Sequence, residues 1–244
     1  MTVALVVAVL VGGVMQRVTG MGFALVSSPF VILVLGPASG VLVINVLGIA
    51  ASLIVLGRVR GDVEWGTLGR LLPGALVGIA AGTALAAVLA PQWAQILAGA
   101  LILAGLVGSA VVVRARTLPR STGLVTASGV ASGAMGALAG VGGPAMAVLS
   151  VLTRWDHVRF AATLQPYFVA IGAVTVAVRV VVEPAAAGGL SAATWALIGV
   201  AMVLGVALGE LVARWLTAAA ARRLIVALAA AGALATIADG AARL

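Results

Sequence analysis

Two glycine-containing interruptions inside apolar runs constrain this chain more than any other feature. The stretch VTGMGFALVSSP, at residues 18–29, places two glycines two positions apart in a long apolar segment. Glycine weakens a helix interior by about 1 kcal/mol relative to alanine, so one continuous helix is disfavoured there. A similar stretch, LAGVGGPAMAVL, recurs at residues 138–149. The sequence therefore predicts two interrupted apolar segments, one near the start of each half.

The composition places these interruptions in a membrane. The chain has 244 residues, of which 64% are hydrophobic and only 8% are charged. A soluble globular domain carries about a quarter charged residues. So few charges cannot cover a surface that faces water, and the lipid bilayer is therefore the expected surroundings of a polytopic membrane protein.

The charge and the cysteine count exclude several other classes. There is no cysteine and one histidine, so no metal site and no cofactor are expected. The formal net charge of +8 comes from arginines that cluster at the ends of apolar runs, which indicates membrane topology rather than a nucleic-acid partner. With no nucleophile–base pair in the apolar runs, an enzyme is not expected.

The apolar runs divide into full spans and shorter pairs, because a full helical span needs about 20 residues. Six runs are interpreted as full spans: 39–57, 71–91, 93–113, 160–182, 192–213 and 224–240. The shorter runs form the segments 2–35 and 121–153, and each would reach about 50 Å as one helix, too long for a bilayer. We expect each segment to be a re-entrant hairpin or a sharply broken helix.

Arginine and tryptophan positions support these boundaries. All five tryptophans lie at or near run ends, as in an aromatic belt at the membrane surface: Trp65, Trp93, Trp155, Trp195 and Trp215. The arginine-rich loops fall on one face only if residues 121–153 enter the membrane and return. The positive-inside rule therefore favours the hairpin and predicts an N-terminus outside the cytoplasm.

Matched positions indicate an internal repeat. Glycines and amide side chains recur at an offset of 120 and later of 127 in residue number: Gly20 with Gly140, Gly22 with Gly142, Asn45 with Gln165, Gly78 with Gly205, and Gly82 with Gly209. Each half is then a hairpin plus three spans, within 1–116 and 117–244. Because three is odd, the halves insert upside down relative to each other. The predicted fold is all-α, with two inverted-topology repeats of the kind found in secondary transporters.

The two interrupted stretches, TGMGFALVSSP and AGVGGPAMAVL, resemble those of the sulfite exporter TauE/SafE family of bacterial membrane proteins. The chain length, the span count and the GDVEW segment at residues 61–65 agree with this resemblance. Pro144 stands where the family often has a further glycine. The resemblance implies export or uptake of small sulfur-containing or organic anions, such as sulfite, sulfoacetate and related sulfonates, across the bacterial inner membrane.

The chemistry of a broken helix agrees with an anionic substrate. A break inside the membrane frees backbone N–H groups, which must face protein or a water-filled cavity. The half-helices that begin near Gly22 and Gly142 have partial positive charge at their N-termini and bind anions without a charged side chain. Glycine also lets an anion approach the backbone closely.

Eleven residues at or near the breaks are therefore predicted to bind the substrate: Gln16, Arg17, Thr19, Gly20, Gly22, Asn45, Gly140, Gly142, Gly143, Gln165 and Tyr167. Two readings of Arg17 stay open, a deep guanidinium that binds an oxyanion bidentately or a side chain that snorkels to the surface. The amides of Asn45 and Gln165 either donate to the anion or bond between helices.

Other polar residues have simpler interpretations. Ser27 and Ser28 are expected to be helix-packing residues, whose hydroxyls bond to their own backbone. Arg179 and Glu183, four residues apart, are expected to form a surface pair, with an external gate as the alternative. Glu210 and Arg214 have the same spacing, which stabilises a helix modestly. Glu210 is also the best buried carboxylate for proton coupling.

The sequence thus favours a secondary transporter that moves a small anion by alternating access. An anion channel and a non-transporting structural membrane subunit are the alternatives. A homo-oligomer stays open as a further assembly.

Overall fold

The computed structural model describes residues 1–19, 22–111, 117–184, 190–215 and 217–244, and the side chains of residues 18, 19, 218, 219 and 222 are outside this description. These ranges form helices joined by short loops, as the all-α prediction required: α1 (Thr2–Thr19), α2 (Gly22–Val59), α3 (Trp65–Val88), α4 (Pro91–Val111), α5 (Thr122–Ala139), α6 (Gly143–Thr153), α7 (His157–Val182), α8 (Ala192–Val212) and α9 (Ala218–Ala241), with a 3-10 turn at Arg60–Asp62.

Within the described ranges, seven helices are long and apolar enough to cross a membrane by length and composition: α2, α3, α4, α5, α7, α8 and most of α9. The six predicted full spans coincide with the second part of α2 and with α3, α4, α7, α8 and α9. The chain is therefore a multi-pass membrane protein. The seventh helix, α5, belongs to one of the two predicted hairpin segments.

Helix α2 is two helices that meet at Gly36. This residue has φ 78° and ψ 169°, a conformation outside the helical region that glycine adopts without steric cost. Pro37 follows and is suited to the first turn of a new helix. Gly40 packs closely against Ile32, so residues 37–59 fold back beside the end of residues 22–35.

Helix α1 and residues 22–35 form the first hairpin. The Phe23 N–H donates to the Gln16 side-chain carbonyl at 3.1 Å, beside the break. Further from the break, the Ser27 hydroxyl donates to the Ala8 carbonyl at 2.9 Å. The pair beside the break is 7 residues apart in sequence and the pair further away is 19 apart. The two arms of the hairpin are therefore antiparallel.

Helices α5 and α6 form the second hairpin. The Leu118 N–H, before α5, donates to the Leu152 carbonyl near the end of α6 at 2.8 Å. The chain therefore leaves α6 at the face where it entered α5. Gly140 ends α5 with φ 68°, and Pro144 lies in the first turn of α6.

The hairpins pack reciprocally against the opposite halves. A Cβ at Gly205 of α8 would lie 2.4 Å from the Leu10 carbonyl oxygen of α1, and a Cβ at Gly78 of α3 would lie 2.1 Å from that of Val130 in α5. Both GxxxG segments are thus close-packing surfaces, as predicted.

Within each of these pairs the two helices run parallel, since Gly74, Gly78 and Gly82 meet successive turns of α5. Residues 37–59 begin at the face to which the first hairpin returns, and they run in the same direction as α1. Helix α3 then runs in the opposite direction. Helix α5, parallel to α3, therefore runs opposite to α1. This arrangement is compatible with two inverted repeats.

One end of the molecule is called here the arginine-rich face. It joins the ends of α2, α6 and α8 to the starts of α3, α5 and α7, through contacts such as Glu64 with Arg120 and Arg58 with Glu210. Trp65 lies on this face and is 60% exposed, as a belt residue should be. Trp155 is a correction to the predicted belt, because it is only 5% exposed and its indole donates to Glu64.

Candidate functional site

A small cavity of about 50 Å³ lies where the two hairpins meet. Five of the predicted substrate-binding residues line it, from both halves of the chain: Gln16, Asn45, Gly140, Gly142 and Gly143. Its wall also includes Phe23, Gly48 and Phe168. We call this space the break cavity.

The N-terminus of α6 forms part of the break cavity. Gly142 is its N-cap residue and provides no side-chain cap. A Cβ there would lie 2.6 Å from the Ser132 Oγ, and the Ser132 hydroxyl donates to the Gly142 carbonyl at 2.8 Å. Glycine is therefore required at this position for close approach. The first turn of α6 directs its partial positive charge toward the cavity.

The first break is arranged differently. The Gln16 carbonyl accepts the Phe23 N–H, so one donor of the α2 N-terminus is satisfied by the protein itself. Gly22 is buried at the start of α2. The Thr19 side chain and Gly20 lie outside the described part of the structure, so their predicted roles stay predictions.

The matched amides make the same local bond but lie in different places. Asn45 Nδ2 donates to the Val41 carbonyl, and Gln165 Nε2 donates to the Ala161 carbonyl, each at 2.8 Å. Asn45 lines the break cavity. Gln165 instead lines a second, wider cavity, so the structure does not bring the two amides together.

This second cavity, called here the vestibule, has a volume of about 410 Å³ and is at the arginine-rich face. Its polar wall residues are Gln16, Arg17, Arg58, His157 and Gln165. Gln16 also lines the break cavity. The two cavities therefore share a wall residue, and the vestibule lies between the break cavity and the arginine-rich face.

Arg17 is paired within the vestibule region. Its guanidinium forms two hydrogen bonds to Glu210, one of them from Nη2 to Oε1 at 2.7 Å. Arg58 Nη1 lies 3.8 Å from the same carboxylate. The side chains of Arg17 and Glu210 are 37% and 43% exposed, so Glu210 is not the buried carboxylate that the sequence predicted, and it pairs with Arg17 and Arg58 from other helices. Two cations thus share one accessible carboxylate at the mouth of the vestibule.

Tyr167 and the two serines lie around the site rather than on its walls. Tyr167 is fully buried in the hydrophobic core, next to Ser132. The Ser28 hydroxyl donates to the carbonyl of Ala139, at the end of α5. Ser27 bonds within its own hairpin. Both serines pack between helices, as expected, but each hydroxyl bonds to another helix and not to its own backbone.

Arg179 departs from its predicted surface position. It does pair with Glu183, at 2.9 Å, but its side chain is only 2% exposed. Its Nη2 donates to the Ala137 carbonyl at 2.7 Å, close to the second break. The amphipathic i,i+4 spacing indicated the pair but not its burial, because the α5 tip that covers it comes from 42 residues away.

A polar cluster around Glu64 went unrecognised in the sequence. The Glu64 carboxylate accepts from Arg120, from Thr67 at 2.9 Å and from the Trp155 indole at 3.2 Å. Its backbone N–H donates to Thr163 at 2.9 Å. Burial alone raises the pKa of Glu64, but these partners outweigh burial and hold it below its usual value. The only sequence signal was the GDVEW segment, since the partners are distant in sequence.

Metal ligands do not cluster in the described ranges, where no three His, Asp or Glu side chains come together.

A comparison with protein families decides the assignment. The model of the sulfite exporter TauE/SafE family matches residues 4–236. The chain belongs to this family. TauE/SafE proteins are membrane transporters, which agrees with the apolar helices found here. Comparisons with curated proteins and with solved structures give no significant match.

Proposed function

We propose that this TauE/SafE protein is a secondary transporter of a small sulfur oxyanion, with sulfite as the first candidate, and that the break cavity holds the anion. One observation carries the proposal. The cavity wall combines the glycines of the second break with Gln16 and Phe23, which flank the first, so that both halves of the chain meet at the N-terminus of a half-helix. Such an end supplies N–H donors and partial positive charge without a buried cation.

The size of the break cavity favours a compact anion. Its volume of about 50 Å³ exceeds the roughly 10–15 Å³ that one water needs and is far below the roughly 300–1,000 Å³ of a pocket for a drug-sized ligand. The space is therefore of a size that suits a small oxyanion such as sulfite. Sulfoacetate and longer sulfonates require the walls to move apart.

The vestibule supplies the route to this cavity. Arg17 and Arg58 line it and attract anions from the arginine-rich face. The positive-inside rule favours a cytoplasmic arginine-rich face and an N-terminus outside the cytoplasm. Membership of the TauE/SafE family supports the bacterial inner membrane as the location. The hairpins, entering from opposite faces, are the elements that would open the cavity alternately to each side.

Sulfite counterflow in proteoliposomes tests the proposal. A carrier loaded with unlabelled sulfite should concentrate labelled sulfite transiently against its gradient, with saturable kinetics. A thermal-shift series with sulfite, sulfoacetate, isethionate, taurine and short carboxylates should show the largest stabilisation for the smallest oxyanion. Flux without counterflow would indicate a channel, and neither flux nor stabilisation by any anion would indicate a structural subunit. Either result overturns the proposal.

A further inference from the structure

The tips of the two hairpins differ in a way that points to a second anion position. At the first tip, Gly209 of α8 packs against Arg17, with a constructed Cβ only 2.7 Å from the Arg17 Cβ. At the second tip, Gly82 of α3 packs against Ala137, with the corresponding separation 3.0 Å. The offsets of 127 and 120 pair these residues in sequence, so the two contacts are equivalent.

The next residue along each helix distinguishes the tips. After Gly209 comes Glu210, whose carboxylate binds Arg17. After Gly82 comes Thr83, which is 4% exposed and whose hydroxyl has no hydrogen-bond partner among the described residues. The first tip therefore has its own acceptor for a cation, whereas the equivalent position at the second tip is a neutral donor.

A cation is nevertheless present at the second tip, supplied by α7. Arg179 donates from Nη2 to the Ala137 carbonyl and from Nη1 to Glu183. Its Nε–H is buried and has no partner in the part of the chain that the structure describes. A buried donor without an acceptor is costly. Both donors belong to residues connected to Ala137. Arg179 bonds to its carbonyl, and Thr83 follows Gly82, which packs on it.

We propose that this second tip is a second anion position, at which the Thr83 hydroxyl and the Arg179 Nε–H donate to an oxyanion of the transported class. The oxyanion would supply the acceptors that Glu210 supplies at the first tip. This inference rests on the proposed transport function.

The position also fits the path of transport. Gly140 is on the wall of the break cavity, and Ala137 lies three residues before it. Arg179 is in the last turn of α7, toward the face opposite the arginine-rich one. An anion leaving the break cavity toward that face would therefore pass the second tip. Glu183 competes with the anion for Arg179, which favours brief occupancy and release.

Thr83→Val tests the position with little change in shape. It removes the hydroxyl donor, and Thr175→Val is its matched control. Thr175 is as buried, at 1% exposed, but its hydroxyl already donates to the Ile171 carbonyl of its own helix. In sulfite counterflow, Thr83→Val should raise KM about tenfold, the effect of losing one hydrogen bond to a charged group. Thr175→Val should change KM less than about twofold.

Arg179→Lys provides a second readout, because it keeps the charge but loses the Nε–H. It should also raise KM, while the melting temperature without sulfite shows whether folding is retained. Wild-type counterflow together with equal KM values for the Thr83 and Thr175 variants would overturn the second position alone. Absence of counterflow in the wild type would overturn the proposed function and this inference with it.

Discussion

The Ser28 hydroxyl, in the return arm of the first hairpin, donates a hydrogen bond to the carbonyl of Ala139, the last residue of α5. This bond joins the two hairpins directly beside the break cavity. Its neighbour Ser27 is equally buried but donates to Ala8, within the first hairpin. Of these two adjacent serines, one bonds to the other hairpin and one bonds within its own hairpin. Substituting each in turn therefore distinguishes the two kinds of contact.

Ser28→Ala and Ser27→Ala should therefore have different effects. Ser28→Ala leaves the Ala139 carbonyl, at the end of α5, without this donor and should lose about 1–3 kcal/mol of stability. Ala8 lies inside α1, where its carbonyl also accepts a helical N–H, so Ser27→Ala should lose only about 0.5–1.5 kcal/mol. Only Ser28→Ala should also reduce sulfite flux, because it releases the α5 tip from the first hairpin. Melting temperatures and counterflow rates of the two variants in parallel provide the measurement. Equal flux in both would mean that this bond between the hairpins has no part in transport.

Glu210 competes with substrate for the vestibule arginines in this account. Glu210→Gln should free Arg17 and Arg58 and tighten sulfite binding. Because the pair is 37% and 43% exposed, solvent screens it and the gain should be only about two- to fivefold. The effect should shrink at high salt. Binding isotherms at low and high ionic strength measure it.

Asp239→Asn is the control for Glu210→Gln. Asp239 also belongs to a partly exposed pair, with Arg243 at 2.8 Å, and it accepts from Gln95 at 2.7 Å. Asp239→Asn removes one negative charge, as Glu210→Gln does, but Asp239 lies in α9 and does not line the vestibule. Weaker binding in Glu210→Gln, or equal gains in both variants, would contradict the competition.

Glu64 should make stability depend on acid pH. Since its pKa is lower in the folded protein than in the unfolded chain, its ionised form stabilises the fold. That contribution is fully present above the unfolded pKa of about 4.3 and is lost as the pH falls through the folded pKa. Glu64→Gln should thus lower the melting temperature at pH 7, with the difference from wild type disappearing in acid. A difference that persists unchanged to the lowest pH would exclude this role.

Much of the fold was predictable because membrane spans are recorded locally in the sequence. Runs of apolar residues, arginine-rich loops and glycine pairs placed the spans within a few residues and indicated the two hairpins. The break at Gly36 agrees with the prediction, because it falls between the segment 2–35 and the span 39–57; only its positive φ could not be predicted. Trp155 was misplaced, because its partner Glu64 is 91 residues away.

The candidate site was predictable only in part. Backbone breaks follow from glycine and proline, so Gly140 and Gly142 could be located. Which side chains meet depends on how helices from the two halves pack. Arg17 with Glu210, and Arg179 with the α5 tip, are contacts of that kind. Equivalent repeat positions did not predict equal surroundings either, since Asn45 and Gln165 line different cavities.

The most direct test of the break cavity is to fill it without disturbing the fold. Gly48 lies on the cavity wall, and a Cβ there would have no atom within 4 Å. Gly57, on the same helix, has the same open surroundings and does not line the cavity. Gly48→Val and Gly57→Val therefore add the same group to similar backbone.

Sulfite binding to these two purified variants is the decisive measurement. Gly48→Val should fold normally but lose at least about tenfold in affinity, while Gly57→Val should bind as the wild type does. If the two variants bind sulfite equally well, the anion does not occupy the cavity between the glycine breaks, and the central claim is wrong.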